Sequence, residues 1–521
     1  MSSTIADNLN PALDAGSWHA HVTTIDVIVI CILMLIYQKT KPLAIPASLP
    51  GPKRHFFIGH LNHAIRTWDD WPNETTRLCK LYKATWGGPL PNLGGLPGGY
   101  VYISDKDSIK HVLSDEFDSY IKGDIWRKVF GELLGEGIFT VDGAEWRVHR
   151  KLMSTMFSRN LLRRSAAAMR EKLEQVLNIY RIKASENGSK GFDIDIQEVF
   201  FCITFDVSSS VILGLDFDTV VNQQQRFHRA FDELSSLCQK RFLDPFFEIK
   251  KFLNISWRER RIKQLAILVD DFAMSVIRDR RNEINARDKS IDDRFDLLTK
   301  YIEHAENNKE EVSDKYLRDV LMNVMLAGRD TTACALSWTW YELTRHPEIV
   351  LKIVDEVRKV CGVGDGADCS FDTMNQLKYT HCVALEVLRL HPPVTNDPRY
   401  AKRDSRLPDG TFTAKGLGVD MCFYAMGRKE DIWGSDALHF KPERFLKEKE
   451  PSTFKFPVFN AGPRMCLGKP LALMNMKLTM AILLTSGLQL DDKKGHSGDY
   501  LWSLVQSMKG GFPIHVSSSP I

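Results

Sequence analysis

The chain opens with a polar stretch and turns apolar from Val22 to Tyr37, reading VTTIDVIVICILMLIY. A spanning helix wants about 20 apolar residues. This run is slightly short, with Asp26 near its start, within reach of headgroups. No Lys or Arg precedes Lys39, so the basic leader of a cleaved signal peptide is missing. The pattern predicts one transmembrane anchor at 22–37, behind a non-cytosolic tail at 1–21. Asp7 and Asp14 precede the run, whereas Lys39, Lys41, Lys53 and Arg54 follow it. Basic flanks stay cytosolic, so residues beyond the anchor are expected in the cytosol. Pro42, Pro46, Pro50 and Pro52 make 38–52 a stiff, extended hinge, because proline fixes φ and resists helix.

From 53 to 521 no second boundary and no internal repeat shows, and helical spacing dominates. The clearest run goes from Ser313, a suitable N-cap, to Arg345, just before His346-Pro347. That far exceeds the usual helix of about 11 or 12 residues, and a helix so long crosses the middle of a large domain. A second helix is predicted from Met374 to Leu390, stopped by Pro392-Pro393. Gly87 to Gly99 reads as a loop and VYIS at 101–104 as a short strand. Strand-like pieces around Thr411 and from Val419 to Tyr424 add a small β region. The expected fold is mainly α with a small β part, in a single large domain.

Composition narrows the function. The 521 residues are 44% hydrophobic and 26% charged, with a net charge of +3. That balance is globular and too near neutral to suggest nucleic acid. A chain this long can bury roughly three quarters of its surface, enough for a deep, dry pocket. Its 10 cysteines are too sparse for a disulfide scaffold. Cys361 and Cys369 have neither zinc-site spacing nor a histidine partner nearby. Free thiols in a reducing compartment are expected.

One cysteine stands apart. In Phe459-Asn-Ala-Gly462-Pro-Arg464-Met-Cys466-Leu-Gly468 the glycines permit a tight turn and close approach to a flat ligand. Cys466 is offered at the end of that loop, and a helical run begins near Pro470. A helix N-terminus favours thiolate over thiol, and Arg464 can pair with an acidic group of the same ligand. The pattern Phe, Gly, Arg, Cys, Gly resembles the signature of the cytochrome P-450 family. Four further blocks agree in order: Trp146-Arg-Val-His-Arg150, Ala327-Gly-Arg-Asp330-Thr331-Thr332, Glu386-Val-Leu-Arg389 and Pro442-Glu-Arg444-Phe445.

The resemblance implies a haem-thiolate monooxygenase, with Cys466 as axial ligand of a haem b. Trp146, Arg150, Arg399 and Arg464 fall at the positions of haem-propionate ligands; all are pure donors, suited to carboxylates. Glu386, Arg389 and Arg444 would form a buried charge triad locking the region behind the cysteine loop. On the long helix, Gly328 would leave room for oxygen, Thr331 would donate a hydrogen bond to it, and Asp330 would relay protons. The rival reading is a threonine bonding its own helix and a solvated aspartate. Ala327 replaces the glutamate that esterifies haem in one subgroup, so the haem is expected to be non-covalent. After Gly468 too little chain remains for a flavin or nicotinamide module. Electrons are therefore expected from NADPH through a separate flavoprotein reductase, with His149, Arg147 and Lys151 as docking candidates.

Gly135-Glu-Gly-Ile-Phe139, Asp404 to Phe412, Tyr424 to Gly427 and Ile432-Trp-Gly434 resemble the branch that hydroxylates fatty acids and alkanes at the chain end. Alignment to the family's pocket places Phe139, Ala327 and Val394 on its distal side, with Leu504 and Val505 approaching from the C-terminal loop. The expected substrate, with O₂, is lipophilic and drawn from the bilayer. The expected location is the endoplasmic reticulum membrane, single-pass, with the catalytic domain cytosolic. A sterol or terpenoid substrate, a haem-thiolate isomerase or peroxide-cleaving enzyme, and a haem sensor remain alternatives. Asn73, Asn187 and Asn254 begin glycosylation sequons that a cytosolic domain never presents to the transferase.

Overall fold

The long apolar-patterned run does form one helical path, but it is not uniform. In the computed structural model the Ser313 side chain accepts from the Tyr316 N–H, and helix follows from Asp314 to Met325. Leu326–Asp330 then form a widened π turn, and α-helix resumes over Thr331–Leu343. The two halves serve different cores. Leu317, Leu321 and Leu326 pack with Phe130, Leu133 and Leu134. Ala333, Leu336 and Trp338 pack with Leu385, Leu388 and Leu478. The widened turn lies where the helix passes from one core to the other, a position typical of functional π-bulges.

The structure describes residue 45 and residues 49–55, 59–90, 98–222, 225–285, 296–307, 313–362, 364, 367–446 and 450–518. The predicted anchor, the tail before it, and Pro42 and Pro46 of the hinge lie outside these residues. Among the described residues, Ile196–Leu213 is apolar and long enough to cross a membrane, yet 83% of it is buried inside the protein. It is a core helix.

The β part is small. Its main sheet has β1 (Thr85–Pro89), β2 (Gly99–Ile103), β3 (Tyr120–Ile121), β4 (Asn396–Ala401) and β5 (Gly418–Cys422), in the order β1-β2-β5-β4-β3. The β2–β5 pair is parallel and the others are antiparallel. Three expectations shift. Gly87 and Gly88 belong to β1 rather than to a loop, held flat against Leu49 and His60. The helix expected from Met374 splits into Phe371–Met374 and Lys378–Leu390. The strand expected to reach Tyr424 ends at Cys422, and a helical turn, Phe423–Met426, follows.

Candidate active site: a cysteine-floored cavity

Glu386, Arg389 and Arg444 do come together, in a saturated charge cluster. Glu386 and Arg389 share a turn of the Lys378–Leu390 helix, and both are buried. Arg389 donates from Nε to Glu386 Oε2 at 2.7 Å and from Nη2 to Oε1 at 2.8 Å. Arg444 Nε donates to Glu386 Oε1 at 2.9 Å, and the Lys441 N–H to the same oxygen at 2.7 Å. The remaining arginine donors reach the carbonyls of Gly427, Trp433, Asp436, Ala437 and His439. A buried ion cluster repays its desolvation only with such full bonding.

The loop is held on several sides. Asn460, at φ +62°, donates to Asp397 Oδ2 at 2.8 Å. Gly462 has φ +63°, and a Cβ there would meet the Leu113 carbonyl oxygen at 1.9 Å. The Cys466 N–H closes the loop on Phe459 O at 2.8 Å, and the next helix starts at Lys469. Among the described cysteines only Cys466 is exposed, and what it faces is an internal cavity of about 450 Å³. Burial pushes its thiol above the ordinary range, against the pull of the Gly468 and Lys469 N–H groups and of Arg150. The helix terminus favours the thiolate as expected, and desolvation opposes it.

Around one rim of the cavity stand the charged and donor groups. Lys122 Nζ lies 2.6 Å from Asp397 Oδ1 and 4.1 Å above the Trp126 ring. Arg399 Nη1 donates to Asp397 Oδ1 at 2.5 Å and to Pro398 O at 3.0 Å. Burial lowers Lys122 to about 7. Burial would raise the Asp397 carboxyl, but Arg399 and Lys122 hold it far below the usual range. Arg399 Nη2 and Trp126 Nε1 are buried with no partner among the described residues. Arg150 is half-buried, and burial lowers its pKa. Trp146 and Arg150 lie one helical turn apart and both line the cavity. Arg464 lines it too but is already engaged. Nη2 donates to Val141 O and Asp142 Oδ1, both at 2.8 Å, and the guanidinium stacks 4.6 Å over Trp146. Orphaned donors beside an apolar space floored by a cysteine fit a flat apolar group that carries carboxylates and binds through sulfur, as haem does.

The opposite wall is the widened turn. Ala327, Gly328 and Thr331 line the cavity. Thr331 Oγ1 donates to the Ala327 carbonyl at 2.7 Å, so the helix-bonding rival describes the resting hydroxyl. Packing also requires a small residue at Gly328, since a Cβ there would meet Ser208 Cβ at 2.7 Å. Asp330 is not solvated and does not line the cavity. Its Oδ1 takes Arg329 Nη1 at 2.7 Å, and the same nitrogen reaches Asp232 Oδ1 at 2.7 Å. Asp232 is 49% exposed. Burial pushes Asp330 up to about 7 despite Arg329.

Phe139, Val394, Leu504 and Val505 all line the same cavity. The docking set loses one member: His149 is fully buried, its Nδ1 2.9 Å from the Tyr301 hydroxyl and its ring stacked on Tyr316. Trp146, His149 and Met153 form the inward face of their helix, while Arg147 and Lys151 point outward, Arg147 paired with Asp118 at 3.1 Å. Sequence reasoning missed Lys122, Trp126, Asp397, Asp142, Arg329 and Asp232.

Comparison with known proteins agrees with this geometry. The family model for cytochrome P-450 matches residues 49–487. Cytochrome P-450 CYP94D109 of Paris polyphylla is 35% identical over 436 residues, covering 80% of this chain and 85% of that protein. Cytochrome P-450 704C1 of Pinus taeda is 34% identical over 450 residues, covering 81% and 84%. Cytochrome P-450 94C1 of Arabidopsis thaliana is 35% identical over 429 residues, covering 80% and 84%. With a matching family model across most of its length and relatives of this identity, the chain belongs to the cytochrome P-450 family of haem-thiolate monooxygenases.

Proposed function

We propose that this monooxygenase hydroxylates a long-chain fatty acid or alkane at or near its far end, using Cys466 as the axial thiolate. The supporting observation is the single cavity shared by Cys466, Thr331, Phe139, Val394, Leu504 and Val505, together with the resemblance of the Phe139 and Asp404–Gly434 segments to chain-end hydroxylases. When bound, the haem iron supplies oxygen activation, which an electron-rich thiolate favours. Arg150, Arg399 Nη2, Trp126 Nε1 and Trp146 would hold its carboxylates. Arg464 braces the rim through Asp142.

The chain's own residues handle protons and exclude water. Thr331 can turn its hydroxyl from Ala327 O into the cavity and deliver a proton there. Asp330, pushed up to about 7, can hold and release a proton, and the permanently charged Arg329 ties it to the half-exposed Asp232 on the solvent side. A terminal methyl has the strongest C–H bonds of the chain, so selectivity must come from positioning. Phe139 and Val394, both lining the cavity, would form the constriction that admits only a chain end, and contacts along the rest of the chain would supply the binding energy.

Electrons would come from NADPH through a separate flavoprotein reductase, with Arg147 and Lys151 on the outer face of the Trp146 helix as contacts. The anchor at 22–37 would fix the protein to the endoplasmic reticulum with this domain in the cytosol. Glycan attached at Asn73, Asn187 or Asn254 in eukaryotic cells would reverse that topology. The substrate test is direct. The enzyme, a reductase and NADPH are incubated with saturated acids of graded length, alkanes and sterols, and product position is mapped by mass spectrometry. Chain-end products are expected; turnover of a sterol with no acid or alkane turned over refutes the assignment.

A further inference from the structure

Strand alternation puts Asp420, in the middle of β5, on the same sheet face as Tyr102 and Pro398, its neighbours on β2 and β4. Val419 and Met421 face the other side, into an apolar cluster. The Asp420 face also carries Trp86, Tyr100 and Asn396, and all of these residues line the cavity that holds Cys466. It is an aromatic wall: Trp86 and Tyr102 stack at 3.9 Å, and the Tyr100 hydroxyl is engaged by Tyr400 at 2.8 Å. Within it, Asp420 is 7% exposed. Its Oδ2 accepts from Asn396 Nδ2 at 3.1 Å. Its Oδ1 has no partner among the described residues, and neither does Asn396 Oδ1.

Among the described residues no cation pairs with this carboxyl. Lys122 acts on it from a distance but is bonded to Asp397, whose own charge opposes ionisation of Asp420. Burial pushes Asp420 up to about 7. A buried acceptor left unmade is costly, and here two hydrogen-bonded neighbours, Asp420 and Asn396, each carry one in a wall otherwise able to hold methylenes.

We propose that Asp420 and Asn396 form the subsite for the substrate's polar group, and that this group is a neutral hydrogen-bond donor, a hydroxyl or an amide N–H, rather than an ionised carboxylate. The inference rests on the chain-end hydroxylation proposed above and changes one part of it: the polar head is a neutral donor, as in a fatty alcohol or amide, in place of an acid. A hydroxyl or amide N–H supplies what the two oxygens lack, whereas a carboxylate would face two acceptors and a titrating acid. The rings of Tyr102 and Trp86 would pack the adjoining methylenes.

The test uses the full-length holoenzyme and three probes of equal chain length: dodecanol, dodecanamide and dodecanoic acid, titrated by the substrate-induced spin-state change. The alcohol and the amide are expected to half-saturate at about tenfold lower concentration than the acid, the effect of one hydrogen bond. Asp420→Asn should erase that preference by tightening the acid relative to the amide. A merely structural role for Asp420 would instead weaken all three alike and lower haem content. Equal binding of the three probes to the wild-type enzyme, or a uniform change in the variant, overturns the subsite and leaves the chain-substrate reading standing. If none of the three binds while a sterol does, both fall.

Discussion

Two regions of the domain bury charge, but they differ in what they leave unmade. In the Glu386 cluster, Glu386, Arg389 and Arg444 spend every strong donor and acceptor on one another and on nearby carbonyls. Along the cavity, Arg399 Nη2, Trp126 Nε1, Asp420 Oδ1 and Asn396 Oδ1 are buried without partners among the described residues. The saturated cluster is scaffold, complete without any ligand. The unsaturated wall is the surface we propose for binding, because buried polar atoms in native proteins are rarely left unmatched.

The comparison breaks most visibly at Glu386. Glu386→Ala leaves two buried guanidinium groups without their shared carboxylate, a loss of about 3–5 kcal/mol. Little holoprotein should accumulate, as read by haem-to-protein ratio and thermal unfolding; normal haem loading would show the cluster to be dispensable. On the cavity side, effects should fall on chemistry rather than folding. Thr331→Ala removes a hydroxyl that holds only its own helix, so haem content and substrate binding should persist. Peroxide released per NADPH consumed should rise severalfold, and an unchanged product-to-NADPH ratio would remove Thr331 from proton delivery. Trp126→Phe keeps an aromatic ring beside Lys122 and Phe130 but removes the orphaned N–H together with part of the indole. The apoprotein's unfolding midpoint should fall only slightly, from the lost packing, while haem release should quicken about threefold to tenfold, the worth of one hydrogen bond. Phe139→Ala should have the smallest effect, moving hydroxylation inward along the chain with little change in rate; unchanged product position would place the constriction elsewhere.

Much of the saturated side was legible in the sequence, because its signals are local. An acid and an arginine at i, i+3 share a helix face, and the cysteine loop carries its glycines and arginine within a few residues. The cavity side draws on distant segments. Lys122 meets Asp397, and Tyr102 meets Asp420, across long sequence separations with no motif to join them. The widened turn at Leu326–Asp330 keeps an ordinary helical pattern, so only backbone geometry reveals it. His149 was open to a better reading: its spacing from Trp146 and Met153 marks the buried face of an amphipathic helix. The state of the Cys466 thiol could not be read from sequence, because it depends on how much water the folded cavity excludes.

The central claim is that Cys466 is the floor of a haem site. It is tested most directly by reducing the purified protein, adding carbon monoxide and recording the Soret band, then repeating this with Cys466→Ala. The wild-type protein should show the red-shifted band of thiolate-ligated haem, and the variant should lose it while the Glu386 cluster stays intact. If the variant keeps that band, another residue holds the iron and the site described here is not the haem site.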